Sequence, residues 1–415
     1  MGNRLFQHLD DLIRRRRDEH IAFLQQLIRT RSANPFTPDT SDPDEPVERA
    51  VAHLLAERLR AMGLSPVLSG VSDARPNVCA VWPGGGAEAA RALILNGHMD
   101  TVMPGPLWMR DPFGAIIEGD RLYGLGALDM KASLSMCVFA VQALIDAGLQ
   151  LGGDLALAFV VDEEPGAYSP FGSAYLLEHD LAPLTHRAAA LVAEPMNDNV
   201  TIGHRGGYRF RLVVHGTATH TGLLAWERGE LGKNAITDMA RAITALDDLA
   251  LPYDVTPAFP DRKPVFTFPT LIQGGVSINA VPDQCTAYGD VRLLPGCDAA
   301  AVESAIRARL DRVPDLAYTL EQLLFVPAVE ISPDHALVEV LVQHTQAVTR
   351  HTPTRLGCGP WNDGWMFITR GIPAICGFGP NGAGVHGPDE YVELDSVIAT
   401  TQIVARAVVD YLGVM

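Results

Sequence analysis

The sequence is poor in cysteine and in basic residues, and both shortages exclude classes of protein. Its 415 residues include only six cysteines, with no C-x-x-C pair, which argues against a disulfide framework and a thiolate zinc site. Lysine and arginine number 32 against 49 acidic residues, so the formal net charge is -17. A basic face for nucleic acid or for an anionic membrane is therefore not expected.

Long apolar stretches are also missing from the sequence. The N-terminal 32 residues lack the apolar core of a signal peptide, and no run approaches the length of about eighteen apolar residues that a membrane span needs. With cysteines that show no pairing pattern, these absences lead us to expect a cytoplasmic protein.

The pattern of strands and helices predicts an α/β domain interrupted by a smaller one. Up to residue 204, apolar strand segments alternate with helical segments, which favours a layered domain with a mostly parallel sheet. From 205 to 325 the order becomes βαββαβ, which is typical of a ferredoxin-like α+β domain. We therefore predict a first domain formed by 1–204 and 326–415, with 205–325 inserted into it.

The stretch LILNGHMDTV, residues 93–102, places a histidine and an aspartate at the end of an apolar strand. His98 and Asp100 could be a hydrogen-bonded polar pair, as most buried polar groups are. Alternatively, His98 is a metal ligand and Asp100 fixes its imidazole from behind. On this stretch alone the first interpretation is favoured, because a lone histidine is more often structural; the second predicts further ligands elsewhere.

Further carboxylates and a histidine occur at comparable positions. Glu163 and Glu164 follow the strand LALAFVV, Glu194 ends the strand ALVA, Asp129 precedes a long helix, and His386 lies in a glycine-rich loop. Each motif alone is weak; GLGALD, for instance, resembles a dinucleotide loop but lacks its third glycine and its place in a first βα turn. Oxygen and nitrogen ligands without thiolates suit two zinc ions, each with one histidine and one carboxylate and with an aspartate bridging them.

Taken in order, these motifs resemble those of the M20 metallopeptidases and deacylases. GHMDTV, LYGLGALDMK, VVDEE, AEP and VHGPDEYV are similar to the successive motifs of that family, and the resemblance covers nearly the whole chain. It implies a zinc-peptidase α/β catalytic domain with an inserted ferredoxin-like lid and dimerisation domain. The departures, such as Leu125 in place of the usual arginine, are not at ligand positions.

The resemblance also implies roles for individual residues. Asp129 would bridge two zinc ions and precede a cis peptide bond to Met130, Asp100 would orient His98, and Glu163 would be the general base. In the lid, His220 would reach the active site of a partner subunit, and Asn279 and Arg292 would contact the substrate. The remaining zinc ligands would be His98 and Glu194 on one ion, and Glu164 and His386 on the other.

The predicted activity is hydrolysis of an amide in a small molecule. A zinc-bridged hydroxide would attack the carbonyl carbon while Glu163 handles the proton. Glutamate at 194 and the carboxylate-binding Arg292 favour an N-acyl amino acid or a related amide. The alternatives are a dipeptidase or carboxypeptidase of the same family, a metal-free binding or scaffold homologue, and, least supported, a nicotinamide-dependent oxidoreductase. Co²⁺ or Mn²⁺ could replace zinc, and we expect a homodimer formed through the lid.

Overall fold

A computed structural model describes residues 2–37, 40–86, 91–166, 169–195, 197 and 199–415. In chain order, the helices are α1 Gly2–Arg15, α2 Arg17–Arg29, α3 Arg49–Ala61, α4 Ala132–Asp146, α5 Ser173–Glu178, α6 Leu224–Glu227, α7 Ala235–Leu246, α8 Ala299–Leu310, α9 Ala336–Thr349, α10 Gly364–Ile368 and α11 Leu394–Leu412. The strands are β1 Val67–Ser69, β2 Asn77–Trp82, β3 Ala92–His98, β4 Ile116–Glu118, β5 Arg121–Tyr123, β6 Asp154–Val160, β7 Ala188–Val192, β8 Val200–His204, β9 Gly206–His215, β10 Thr219–His220, β11 Val265–Gly274, β12 Ala280–Val281, β13 Gln284–Leu293, β14 Ala317–Val326, β15 Val329–Glu330, β16 Arg355–Cys358, β17 Ala374–Ile375, β18 Gly382–Ala383 and β19 Tyr391–Glu393.

The chain divides into two compact units. The first contains Met1–His204, Glu330–Cys358 and Asn362–Met415, and the second contains Arg205–Val329 and Gly359–Trp361. The second unit thus ends at Val329 and not at the predicted residue 325, and it also includes Gly359–Trp361 from a later part of the chain. Its Trp361 packs against Arg209 and Arg292.

The first unit is built on a six-stranded sheet in the order β1-β2-β6-β3-β7-β17. β3 runs parallel to β6 and β7, and β7 runs parallel to β17, whereas β1 and β2 are antiparallel additions at one edge. Every residue of β3, β6 and β7 is buried, as expected for parallel strands covered on both faces. The mostly parallel sheet that the sequence predicts is therefore confirmed.

One helical stretch of the first unit, Ala127–Asp146, is long and apolar enough to cross a membrane by length and composition alone. Such a stretch is not among the features expected from the sequence. In the fold, 89% of the 18 residues that meet this criterion are buried, and α4 packs against α11 and β3 as a core helix.

The second unit has the order β9-α7-β11-β13-α8-β14 and one antiparallel sheet in the order β11-β13-β9-β14. Burial alternates along β9 and β13, because side chains of successive strand residues point to opposite faces. The buried face packs with α7 and α8 in one apolar cluster that includes Phe210, Met239 and Ile306. This is the predicted ferredoxin-like arrangement.

Candidate metal centre

The parallel strands of the first unit bring the candidate residues to one edge of the sheet. His98 is the last residue of β3, Glu163 and Glu164 follow β6, and Glu194 follows β7. Since β3, β6 and β7 run parallel, their carboxyl ends lie together, where ligands bind in open α/β sheets. Asp129 lies in the irregular turn before α4.

Two groups of side chains meet at Asp129. In the first, Nε2 of His98 lies 3.2 Å from Oδ1 of Asp129 and 3.7 Å from an oxygen of Glu194. In the second, Nε2 of His386 lies 3.3 Å from Oδ2 of Asp129 and 3.0 Å from an oxygen of Glu164. The two carboxylate oxygens of Asp129 therefore face different histidines, which is the arrangement of a bridging ligand.

The chemistry of both groups fits divalent cations. Each offers one imidazole nitrogen and carboxylate oxygens within 4.8 Å of one another, a donor set that zinc accepts. Among the described residues, Oε1 of Glu164 is buried and has no hydrogen-bond partner. A buried carboxylate oxygen without a partner is costly, and a bound cation would compensate it.

Asp100 lies behind both His98 and the two glutamates that follow β6. The Nδ1 of His98 is 3.0 Å from the backbone oxygen of Asp100 and 3.5 Å from its carboxylate, so the shorter contact is to the backbone. The carboxylate of Asp100 accepts hydrogen bonds from the backbone N–H groups of Glu163 and Glu164, at 3.2 and 3.1 Å. Sequence reasoning did not find this second set of contacts.

Glu163 is a carboxylate of the centre that belongs to neither ligand group. Removal from water raises the pKa of its carboxyl group well above the ordinary value; nearby His98 opposes this shift, and the negative charge of Glu194 adds to it. Burial likewise raises the pKa of Glu194. The hydrogen bonds of His386 with Asp129 and Glu164 raise the pKa of His386 to about 10. Burial and the crowding of carboxylates therefore disfavour the charged forms of Glu163 and Glu194.

Glu390 supports the turn that carries Asp129, and sequence reasoning missed it. Its buried carboxylate accepts hydrogen bonds from the backbone N–H groups of Gly126, Leu128 and Asp129, at 3.0, 2.7 and 2.9 Å. The peptide bond that follows Asp129 is cis, as the resemblance implies. The available signal was the position of Glu390, four residues after His386 in VHGPDEYV.

The three candidate residues of the inserted region belong to the second unit. Exposed His220 and Asn279 lie next to each other on paired strand ends, with Nε2 of His220 3.4 Å from Nδ2 of Asn279. Arg292, on β13, donates to a carboxylate oxygen of Asp290 at 2.8 Å, and its guanidinium lies 4.4 Å from the centre of the Trp361 ring.

Comparison with known proteins decides the family. The profile of peptidase family M20/M25/M40 matches residues 94–410, most of the chain and all of the candidate ligands. The chain belongs to this family. The resemblance noted from the motifs is thereby confirmed, and the protein is a metal-dependent amide hydrolase of the M20 type.

Relatives within the family catalyse different deacylations. The chain is 30% identical over 386 residues to a succinyl-diaminopimelate desuccinylase of Cupriavidus taiwanensis, covering 90% of this chain and 94% of the relative. It is 26% identical over 420 residues to the N-formyl-4-amino-5-aminomethyl-2-methylpyrimidine deformylase of Bacillus subtilis, covering 95% and 96%. The YXEP protein of Bacillus subtilis, a dinuclear metal binding M20 peptidase, shares the fold with a TM-score of 0.67 at 15% identity, covering 95% and 98%.

Proposed function

We propose that this M20 protein is a deacylase that hydrolyses an N-acyl amino acid or a related small amide with two zinc ions per subunit. The observation that carries the proposal is that the two oxygens of Asp129 face separate pairs of one histidine and one carboxylate. Two of the curated relatives are named as enzymes that remove an acyl group from an amine, which supports deacylation over peptide cleavage.

In this proposal Asp129 would contribute a ligand atom to each of the two cations. His98 and Glu194 would hold one, and Glu164 and His386 the other. Bound cations of this kind polarise a carbonyl oxygen and lower the pKa of water. Zinc suits the nitrogen and oxygen donors, and Co²⁺ and Mn²⁺ are the alternatives that the same donors accept.

Glu163 is the proposed general base. It lies beside the ligand Glu164 but outside both ligand groups, so its carboxylate is free to take up a proton from the attacking water and to pass it to the leaving amine. Asp100 would orient His98 and hold the backbone of Glu163 through the hydrogen bonds described above.

The second unit is proposed to supply substrate contacts and a dimer interface. His220 and Asn279 offer adjacent, exposed polar groups suited to a developing oxyanion, and Arg292 offers a guanidinium suited to a substrate carboxylate. The outer strand β11 and the residues after it expose Leu271, Ile272 and Val276. Exposed apolar residues at a sheet edge favour association, which supports a homodimer formed through this unit.

The cytoplasm is the proposed compartment. Cys79, Cys137, Cys285, Cys297 and Cys376 are free thiols, and all five are buried. Free thiols fit a reducing environment, where disulfides do not persist.

Amine release from a panel of amides tests the proposed function. The panel contains N-acetyl, N-succinyl, N-formyl and N-aroyl amino acids and simple dipeptides, each assayed with added zinc and with a chelator. We expect release from one class of N-acyl amino acid, and we expect the chelator to reduce it to the rate without enzyme, because the cations supply the Lewis acid. Cleavage confined to dipeptides would favour the peptidase alternative. No cleavage by zinc-loaded protein of any compound would contradict the proposal.

A mixing experiment tests whether His220 acts in the partner subunit. Glu163→Gln and His220→Ala proteins, each nearly inactive, are mixed under conditions in which subunits exchange. If His220 acts across the dimer, each mixed dimer has one site with both residues intact, and about a quarter of the wild-type activity returns for random exchange in a C2 dimer. Subunit exchange is followed separately by native mass spectrometry with one tagged variant. Mixed dimers that show no recovery would place His220 in its own subunit's site.

A further inference from the structure

We propose that Arg75 and Asp162 form a buried positioning pair that fixes the turn presenting Glu163 and Glu164. This inference rests on the proposed function, because it assigns the turn to the catalytic centre. Neither residue has a role in the motif pattern, where DEE alone suggests a solvated turn. In the fold, however, the side chains of Arg75, Glu48 and Asp162 are completely buried.

Arg75 contacts two of the buried carboxylates in this region, those of Glu48 and Asp162. Its Nε donates to Glu48 at 2.8 Å, its Nη2 donates to the other oxygen of Glu48, and the same Nη2 lies 2.9 Å from Oδ1 of Asp162. Oxygens of Glu48, Asp100 and Asp162 lie within 4.8 Å of one another, so the three acids could suggest a third cation site. The guanidinium already occupies two of these three acids: it holds Glu48 through a two-pronged contact, the strongest kind of carboxylate hydrogen bond, and Asp162 through Nη2.

Asp162 has a backbone conformation that needs support. Its φ is +62°, in the left-handed region that residues other than glycine rarely adopt. The backbone N–H of Asp162 donates to Glu48 at 3.1 Å, and its carboxylate accepts from Asn34 at 2.9 Å and from Ser41 at 2.8 Å. Together with Arg75, these contacts hold both the backbone and the side chain of Asp162.

The position of Asp162 determines where the next two residues lie. Directly after it, the N–H groups of Glu163 and Glu164 both donate to Asp100. Asn34 joins the two anchor points, since its Nδ2 lies 2.9 Å from Asp100 and 2.9 Å from Asp162. The backbone of Glu163 and Glu164 is therefore fixed by two carboxylates, those of Asp100 and Asp162.

The expected consequence is catalytic and not only structural. Catalysis depends steeply on the placement of reacting groups, and a displacement of about 1 Å can cost about 100-fold in rate. Arg75 and Asp162 are buried and belong to neither ligand group that meets at Asp129, so they act through Glu163 and Glu164. They are positioning residues and not catalytic ones.

Asp162→Asn is the variant that tests the pair. Asparagine has nearly the same shape and tolerates a left-handed backbone, but it removes the charge that faces Arg75. We expect kcat to fall about 10- to 100-fold with KM changed less than about twofold and with metal content unchanged, because only the placement of the base is altered. Asp315→Asn is the matched control, since Asp315 is an exposed aspartate with a φ of +57° in the second unit.

Hydrogen exchange provides a readout that does not depend on the substrate. In Asp162→Asn we expect the amides of Glu163 and Glu164 to exchange about tenfold faster or more, because local opening of the turn becomes easier. Asp315→Asn should leave both rates unchanged. If no compound is cleaved by the wild-type protein but exchange rises as expected, the proposed function fails and the anchoring of the turn stands.

A milder variant keeps the proposal testable if Asp162→Asn does not fold. Ser41→Ala removes a hydroxyl that donates to the carboxylate of Asp162, and it should show the same fall in kcat and rise in exchange to a smaller extent. Unchanged kcat and unchanged exchange in the folded variants would overturn the proposal. So would a loss of stability and metal together with a normal kcat per bound metal, since that pattern describes a purely structural network.

Discussion

Replacing Glu163 by glutamine is expected to lower kcat about 100- to 10,000-fold while both metal ions stay bound. Glutamine has the size of glutamate but no carboxylate that can take up a proton. Because Glu163 belongs to neither ligand group around Asp129, the substitution removes no proposed ligand. KM should change little, since the carboxylate acts on the attacking water and not on the bound substrate.

The measurement combines kcat on the best substrate of the panel with metal content by plasma mass spectrometry. Glu178→Gln on α5 is the matched control, because its exposed carboxylate pairs with Arg370 at the surface, and it should retain full activity. Glu163→Gln protein that contains two metal ions and keeps its activity within tenfold would assign proton transfer to another group.

Replacing Asp129 by asparagine is expected to have the largest effect on metal binding. Asp129 faces both histidines with separate oxygens, whereas an amide offers one oxygen and no charge. Substitutions outside the ligand set typically cost about 10- to 100-fold in metal affinity, so loss of a shared ligand should exceed that range. We expect dialysed protein to hold one metal ion or fewer and to release no measurable amine.

The Glu194→Gln variant distinguishes the loss of a shared ligand from the loss of a ligand to one metal ion. Glu194 belongs to only one of the two groups, so this variant should lose one metal ion and keep the other. Circular dichroism checks that both variants are folded, since Asp129 lies in a turn that is also held by Glu390. Two tightly bound metal ions in Asp129→Asn would show that Asp129 is not the bridging ligand.

Three positions of the candidate centre could be predicted from sequence because each lies at or just after the end of an apolar strand. His98 ends one such strand, and Glu163 and Glu194 follow two others; all three strands are short, apolar and buried, and parallel strands bring their ends to one edge. The order βαββαβ of the second unit could also be predicted from the sequence. In the structure, burial alternates along its strands β9 and β13 with a period of two, as a local strand pattern requires. Both signals are local patterns in the chain.

The supports of the centre could not be predicted in this way, because they depend on contacts between distant segments. Arg75 reaches Asp162 across 87 positions of the sequence, and Glu390 reaches Asp129 across 261. No periodic sequence pattern around Arg75 or Glu390 indicates which distant residue it contacts. The place of Trp361 in the second unit was equally unpredictable. Its ring packs against Gly207, where a side chain would leave no room for it, and no sequence pattern near Trp361 indicates this contact.

The second unit is inserted between residues 204 and 330, and the position of this insertion affects how freely the unit can change in sequence. On the insert's side of the junction, Gly207 pairs with Val326 on neighbouring strands; on the host's side, the N–H of Ile331 donates to the carbonyl of Ile202 at 2.8 Å. Within each unit, the chain segments on the two sides of the 205–329 insert therefore lie next to each other, and an insert whose ends are close together disturbs its host little. The second unit, which carries His220, Asn279 and Arg292, can then vary in sequence while the sheet that carries the candidate metal ligands keeps its structure. The later segment Gly359–Trp361 belongs to the same unit, so changes in the insert have to accommodate this segment as well.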